Sequence, residues 1–331
     1  MTNAIEIENL RIDLPRSGFR KRVPVINDLN LCIEEGEAVG LVGESGSGKS
    51  MTTRAIMHLL PDGAQRSGSV RYRGQEIADF DRRTLALYRS RDLGVIFQDP
   101  RAHINPLWTI GDFLVEAVVA NRQMLRAEAT DRAIALLAQV GISNGSQRIQ
   151  QYPHQLSGGL LQRVMIVSAL MPSPAFILAD EISTALDVTV QSEVMAILSE
   201  LRQSNRLGML FITHDLDLAA AVTDRLAIMY AGSIVEVGPS HEISTAPKHP
   251  YTAALMASRP SLTEVRRLQT VPGRPISAFE AGNGCVFASR CSFAAARCSV
   301  ERPLARQEKD RSVACHFAAD LAPAISVAAS Q

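Results

Sequence analysis

A chain of 331 residues is long enough for two domains, or for one domain with a substantial appendage. At 46% hydrophobic and 21% charged residues, its composition is that of an ordinary globular protein. Lys plus Arg number 34 and so do Asp plus Glu; this balance speaks against a general nucleic-acid binder, which needs excess cations against phosphate, while leaving room for a local basic patch.

The opening MTNAIEIENL has no apolar core of the kind a secretory signal carries. No apolar run approaches the roughly 20 residues of a membrane helix. The expectation is a cytosolic chain that serves a membrane, if at all, by docking to a partner. Residues 4–14 and 25–34 alternate apolar and polar, which predicts edge strands joined by the basic loop RSGFRKRVP. AVGLV at 38–42, then GESGSGKS, then MTTRAIMHLL, reads as strand, glycine-rich loop and helix. LGVIF at 93–97 is a second buried-strand candidate. From about 107 to 172 the period turns helical, through WTIGDFLVEAVVA, AEATDRAIALLAQVG with Gly141 as its C-terminal stop, and LLQRVMIVSALM.

AFILAD at 175–180 returns to strand, VTVQSEVMAILSELRQS to helix and GMLFIT at 208–213 to strand; LDLAAAVTDRLAIMY and GSIVEVG continue the alternation. Strands alternating with helices predict a mostly parallel sheet covered on both faces. After about residue 240 Pro, Gly and Arg rise, so 241–331 is expected to form a separate, less regular region ending in a disordered tail, LAPAISVAASQ. No internal repeat or low-complexity tract is visible.

Gly43-Glu44-Ser45-Gly46-Ser47-Gly48-Lys49-Ser50 fits the phosphate-loop pattern, in the strand–loop–helix setting that pattern requires. Glycines let backbone N–H groups approach phosphate oxygens, the following helix adds its positive end, Lys49 supplies a point charge and Ser50 a hydroxyl for Mg²⁺. An ordinary Gly/Ser turn is the alternative, and the flanking strand and helix speak against it. Asp180 and Glu181 end an apolar strand, the place where parallel sheets bind ligands. Asp180 can hold Mg²⁺ through water and Glu181 can orient or deprotonate an attacking water. Adjacent acids are also common as plain solvated charges; the phosphate loop favours the functional reading.

With these residues in place, the stretch 1–240 resembles an ABC-transporter nucleotide-binding subunit. Leu156-Ser157-Gly158-Gly159 matches the family's signature and opens a helix. Gln98 in IFQDP matches the Q-loop, His214 in FITHD the switch histidine, and Thr184-Ala185-Leu186-Asp187 the D-loop. Alone, Gln98 reads as a turn residue and His214 as a strand-end histidine; their order among the other motifs argues for function. The resemblance implies an α/β P-loop NTPase fold: a mostly parallel sheet, an antiparallel N-terminal β subdomain, an α-helical subdomain at about 100–172 and a small irregular C-terminal extension. It implies ATP contacts from Gly43, Glu44, Ser45, Gly46, Ser47, Gly48, Lys49, Ser50, Thr52, Gln98, Ser157, Gly158, Gly159, Asp180 and Asp187. Mg²⁺ falls to Ser50, Gln98 and Asp180, and catalysis to Glu181, His214, Lys49 and Gln98. Two subunits would face head to tail, each ATP lying between one subunit's phosphate loop and the other's signature. This chain departs from the family in having Leu160 after the signature glycines, where Gln is commoner, and Ile182-Ser183 in place of Pro-Thr. Phe19 is the nearest candidate for stacking on adenine, and reads equally as a loop residue.

Of five cysteines, Cys32 stands alone and is expected to be a small buried apolar residue. Cys285, Cys291, Cys298 and Cys315 cluster with five, six and 16 residues between them. Four thiolates suit iron–sulfur or zinc, and the gaps are longer than tight zinc sites use, which favours iron–sulfur; free thiols or disulfides are the alternative. The cluster and Thr245-Ala246-Pro247-Lys248-His249-Pro250-Tyr251-Thr252 resemble the C-terminal extension of oligopeptide/dipeptide importer ATPases, which implies a [4Fe–4S] cluster stapling a region without a core of its own.

The functional expectation is the ATPase of a di- or oligopeptide importer at the cytoplasmic face of the inner membrane. Its partners would be a second, related ATPase subunit, two transmembrane permease subunits and an extracytoplasmic solute-binding protein, with no nucleic acid. Contact with the permeases is expected near Gln98 and from Asn105 to about Gly141. Nickel or another small solute is the alternative cargo. A soluble ABC ATPase of DNA repair or translation is less favoured, because the chain has one phosphate loop and no net positive charge. A regulatory or metal-sensing protein is disfavoured by the intact Glu181 and His214.

Overall fold

The structure, a computed structural model, describes residues 3–16, 22–182, 187–258 and 271–321. In chain order the strands are β1 (Asn3–Leu14), β2 (Val23–Glu34), β3 (Ala38–Val42), β4 (Gln65–Tyr72), β5 (Gln75–Glu76), β6 (Leu93–Ile96), β7 (Phe176–Asp180), β8 (Gly208–Thr213), β9 (Arg225–Tyr230), β10 (Ser233–Pro239), β11 (Arg306–Glu308) and β12 (Arg311–Val313). The α-helices are α1 (Lys49–Ile56), α2 (Arg82–Leu87), α3 (Pro100–His103), α4 (Ile110–Ala120), α5 (Arg126–Gln139), α6 (Gly145–Arg148), α7 (Gly158–Leu170), α8 (Val188–Asn205), α9 (Leu216–Val222), α10 (Ser240–Thr245), α11 (Pro250–Ala257) and α12 (Ala296–Val300). They group into two compact units, one built on Ile77–Phe211 and the other on Ile5–Cys32, Ala38–Glu76 and the residues from Ile212 onward.

In the first unit β6 and β7 run parallel, with Leu93 opposite Phe176 and Ile96 opposite Ala179, and β8 lies on the far side of β7. Phe176, Ile177, Leu178 and Ala179 are all fully buried, as expected for a strand covered on both faces. The helices begin where polar side chains satisfy their first N–H groups: the Thr109 hydroxyl accepts from the Asp112 N–H at 3.1 Å to open α4. Gly141, at φ +75°, follows the end of α5 as expected.

In the second unit β2, β1, β4 and β5 form one sheet, with Ile5 opposite Tyr72 and Ile7 opposite Val70 in the antiparallel β1–β4 ladder. A further run has β3 beside β9 in parallel, Val39 opposite Arg225 through Val42 opposite Ile228. β10 joins β9 antiparallel and β12 joins β10, with Glu236 opposite Val313 and Val237 opposite Ser312. β4, β11 and β12 are strands that the hydrophobic pattern does not announce. β4 reads QRSGSVRY and buries only Val70 and Tyr72, so pairing with β1, not burial, makes it a strand. β11 is exposed throughout and exists only through its ladder with β12. Among the described residues no helix is long and apolar enough to cross a membrane.

Candidate functional site

The phosphate-loop pattern sits where β3, buried at every position, gives way to α1. A Cβ on Gly43 would lie 2.2 Å from the Met229 carbonyl oxygen, so no other residue fits there without moving backbone. Gly48, at φ +113°, is the N-cap of α1, whose first turn holds no acid, leaving the helix's positive end uncompensated from within. Lys49 is 6% exposed and folds back over the loop, Nζ donating to the Gly43 carbonyl at 2.7 Å and the Glu44 carbonyl at 3.1 Å. Ser45, Gly46 and Ser50 are exposed. The Ser47 hydroxyl is buried with no hydrogen-bond partner among the described residues, an arrangement that costs about 1–3 kcal/mol unless something fills the gap. Thr52 is fully buried and its hydroxyl donates to the Gly48 carbonyl at 3.2 Å, inside its own helix.

The parallel pairing of β6 and β7 brings the residues after each strand together. Gln98 Nε2 donates to Glu181 Oε2 at 3.0 Å, and Asp180 is the last residue of β7, half-buried. Glu181 holds φ +47°, uncommon for a side chain with a Cβ. Such strain costs about 1–3 kcal/mol and persists only where its surroundings enforce it. The neighbouring Ile182, where the family has proline, is buried.

Ser157 is the N-cap of α7, its Oγ accepting from the Leu160 N–H at 3.4 Å. A Cβ on Gly159 would come within 2.7 Å of Val190 on α8, whereas Gly158 faces open space. Asp187 caps α8 through the Val190 N–H at 3.0 Å. Thr184, Ala185 and Leu186 of the D-loop pattern lie outside the described residues, as does Phe19. In the second unit His214 follows β8 on the surface, and the next residue, Asp215, caps α9 through the Leu218 N–H at 3.0 Å.

These loops stand in the setting their pattern demands, and the chain that carries them is similar to known proteins. The ABC transporter family profile matches residues 26–184, and that of the oligopeptide/dipeptide transporter C-terminal region matches residues 235–298. A peptide import ATP-binding protein of Brucella abortus is 41% identical over 316 residues, covering 90% of this chain and 92% of that one. The chain belongs to the ABC transporter family. Other relatives of this ABC transporter ATPase include the dipeptide transport ATP-binding protein DppD of Escherichia coli, 39% identical over 89% of this chain and 91% of that protein. The oligopeptide transport ATP-binding protein OppD of Salmonella typhimurium is 37% identical over 94% and 92%. Among solved structures, a dimeric ATP-binding cassette in a post-hydrolysis state with ADP and Pi superposes with a TM-score of 0.63 at 26% identity, covering 71% of this chain and 98% of that one. The fold is that of the P-loop ABC ATPases, and the chain is an ATP-hydrolysing subunit.

The iron–sulfur expectation for this ABC transporter ATPase does not survive. Among the described residues no group of three or more His, Cys, Asp and Glu is placed to hold a metal ion. All five cysteines are free. Cys285, Cys291, Cys298 and Cys315 do line one cavity, but it measures only about 20 Å³ and is walled by Phe287, Phe293 and Phe317. That apolar burial pushes the Cys285 and Cys315 thiols up, and Cys291 up to about 11. The free-thiol alternative is the one the structure has. Cys32 is half-buried on β2, not buried as expected.

The region is instead stapled by ion pairs and caps that sequence reasoning missed. Glu236 on β10 is 0% exposed; its Oε1 accepts from Arg311 Nη2 and from the Lys248 N–H at 2.9 Å, and its Oε2 from the His249 N–H at 3.1 Å. His249 caps α11 through Nδ1, which accepts from the Tyr251 N–H at 3.1 Å. Burial lowers the His249 pKa to about 3, which keeps the ring neutral and Nδ1 an acceptor. The Lys248-His249-Pro250-Tyr251 hallmark was the available signal, but nothing in its spacing names Glu236.

Proposed function

We propose that this ABC transporter ATPase couples ATP hydrolysis to the import of di- or oligopeptides. The observation that carries the reading is the reach of the likeness: identity to named peptide-import ATP-binding proteins runs through 90% of the chain, the C-terminal region included.

Gly43, Glu44, Ser45, Gly46, Ser47 and Gly48 wrap the triphosphate, Lys49 turns from its two carbonyl partners to the β- and γ-phosphates, and Thr52 supports the loop from α1. The close-packed Gly43, the acid-free start of α1 and the unpartnered Ser47 hydroxyl fit an anion at this loop. Ser50, Gln98 and Asp180 hold magnesium, and their hard oxygen atoms suit it. The ion, when bound, neutralises charge on the phosphate oxygens. Glu181, aimed by its bond from Gln98, orients and deprotonates the attacking water, and His214 contacts the γ-phosphate. Ser157, Gly158 and Gly159, at the N-terminus of α7, present N–H groups to the ATP of a second ATPase subunit, with Asp187 at that junction.

A related ATPase chain, two transmembrane permease subunits and an extracytoplasmic binding protein complete the transporter, with this subunit peripheral at the cytoplasmic face of the membrane. Affinity purification from membranes should bring down those subunits, and reconstituted vesicles should take up labelled dipeptide only with ATP. A preparation that hydrolyses ATP yet recovers no permease and moves no peptide refutes the transport role.

A further inference from the structure

The second residue of the phosphate loop is held from the C-terminal region at two points. The Glu44 N–H donates to Tyr251 Oη at 3.1 Å, so the loop's backbone is tethered to α11. The Glu44 carboxylate accepts a fork from Arg290, Nη1 to Oε2 at 2.6 Å and Nη2 to Oε1 at 3.2 Å. Arg290 is 7% exposed and its other donors are engaged: Nε on the Pro272 carbonyl at 2.6 Å, Nη1 on Tyr230 Oη at 3.2 Å and Nη2 on the Gly273 carbonyl at 3.4 Å. Tyr230, the last residue of β9, packs against Tyr251 with ring centroids 4.6 Å apart, and Phe287 closes the cluster at 5.4 Å from Tyr230 and 5.3 Å from Tyr251. A planar fork on a carboxylate fixes both position and orientation, which a lysine could not.

We infer that Arg290 and Tyr251 are positioning residues for ATP, setting the shape of the phosphate loop through Glu44 without touching the nucleotide. The inference rests on the proposed role of the loop. A loop binds phosphate through the directions of its N–H groups, so a tether that fixes Glu44 fixes where the following N–H groups point. The same tether makes nucleotide binding depend on residues more than 200 positions away, and lets a movement of the extension alter ATP affinity.

The test is a MgATP titration of the purified full chain, read beside the melting temperature of each variant. Glu44→Gln and Arg290→Met should each weaken MgATP about tenfold, near 1.4 kcal/mol. The double variant should be no weaker than the poorer single, because both changes cut the same contact. Tyr251→Phe, which removes one oxygen atom, should weaken MgATP about threefold. Arg290→Lys should recover little, having charge without the fork. If Arg290→Met does not fold, Glu44→Gln and Tyr251→Phe decide. Wild-type affinity in those two would discard the positioning role, whatever happens to melting. Lys49→Ala separates the two readings: ATP binding that survives it retires the nucleotide role of the loop, whereas its loss beside unaffected Glu44 and Tyr251 variants retires only the tether.

Discussion

In the phosphate loop, constraints come from within a few residues: Lys49 bonds back to Gly43 and Glu44, and Thr52 to Gly48. In the C-terminal region they cross the chain, Arg311 meeting Glu236 from 75 positions away and Arg290 meeting Glu44 from 246. The first kind of constraint serves chemistry. The second serves stability, with Arg290 also shaping the phosphate loop through Glu44, and exists only after folding has brought distant segments together. Changes in the motif loops, the helix cap at Ser157 aside, should therefore strike turnover and spare the melting temperature, and changes in the extension, the Arg290 and Tyr251 tether to Glu44 aside, should do the reverse.

The sharpest attempt to break that division is Glu181→Gln. Loss of a general base costs about 10²–10⁴ in turnover, so kcat should fall by that factor while MgATP still binds and melting is unchanged. Hydrolysis at the wild-type rate would remove Glu181 from its role. Lys49→Ala should cost about 10²–10³, the loss of one fixed charge aimed at the reacting group, with binding failing alongside; filter binding with labelled ATP would expose an intact site. On the other side, Arg311→Met strands the Glu236 carboxylate in the interior. Breaking a buried pair from one side costs about 3–5 kcal/mol, to be read as a lower urea midpoint at unchanged slope. Per-molecule ATPase of the surviving folded fraction should stay within about twofold, a shift of a few tenths of a kcal/mol.

A smaller effect is tied to acidity. The native His249 titrates near 3 because it is buried, against 6.5 when unfolded. Between those values the unfolded chain takes up a proton that the native chain refuses. Stability is therefore unaffected by this group above about pH 6.5 and falls below it, by at most about 1.4 kcal/mol per pH unit. Urea titrations on either side of that value should show the decline, and His249→Asn, which keeps an acceptor for the Tyr251 N–H, should flatten it. A decline of equal slope in the Asn variant would assign the effect elsewhere. Smallest of all, Ser157→Ala removes the cap of α7 and should cost about 0.5–2 kcal/mol of stability. Calorimetry can check that separately from any change in turnover.

Legibility followed the same division. β3 at Ala38–Val42 and β8 at Gly208–Thr213 were readable to the residue, because strands buried on both faces write unbroken apolar runs. The meeting of Gln98 with Glu181 was implicit in two such strands ending side by side. β4 was not readable, since a half-exposed strand with serine and glycine carries no period. The cysteines misled because their spacing records proximity and says nothing of the phenylalanines that share their cavity, nor of how little room is left. Tyr251 lay within a recognised stretch, yet its contact with Glu44 required the fold.

β12 carries a practical consequence. It ladders onto β10 from residues 311–313, beyond residue 298 where the match to the transporter C-terminal family profile stops. A shortened clone ending at that likeness would lay bare the outer rim of β10 and deprive Glu236 of its counterion. Open rims recruit other chains. Precipitation of such a clone would reflect the cut, and could be mistaken for an inactive enzyme.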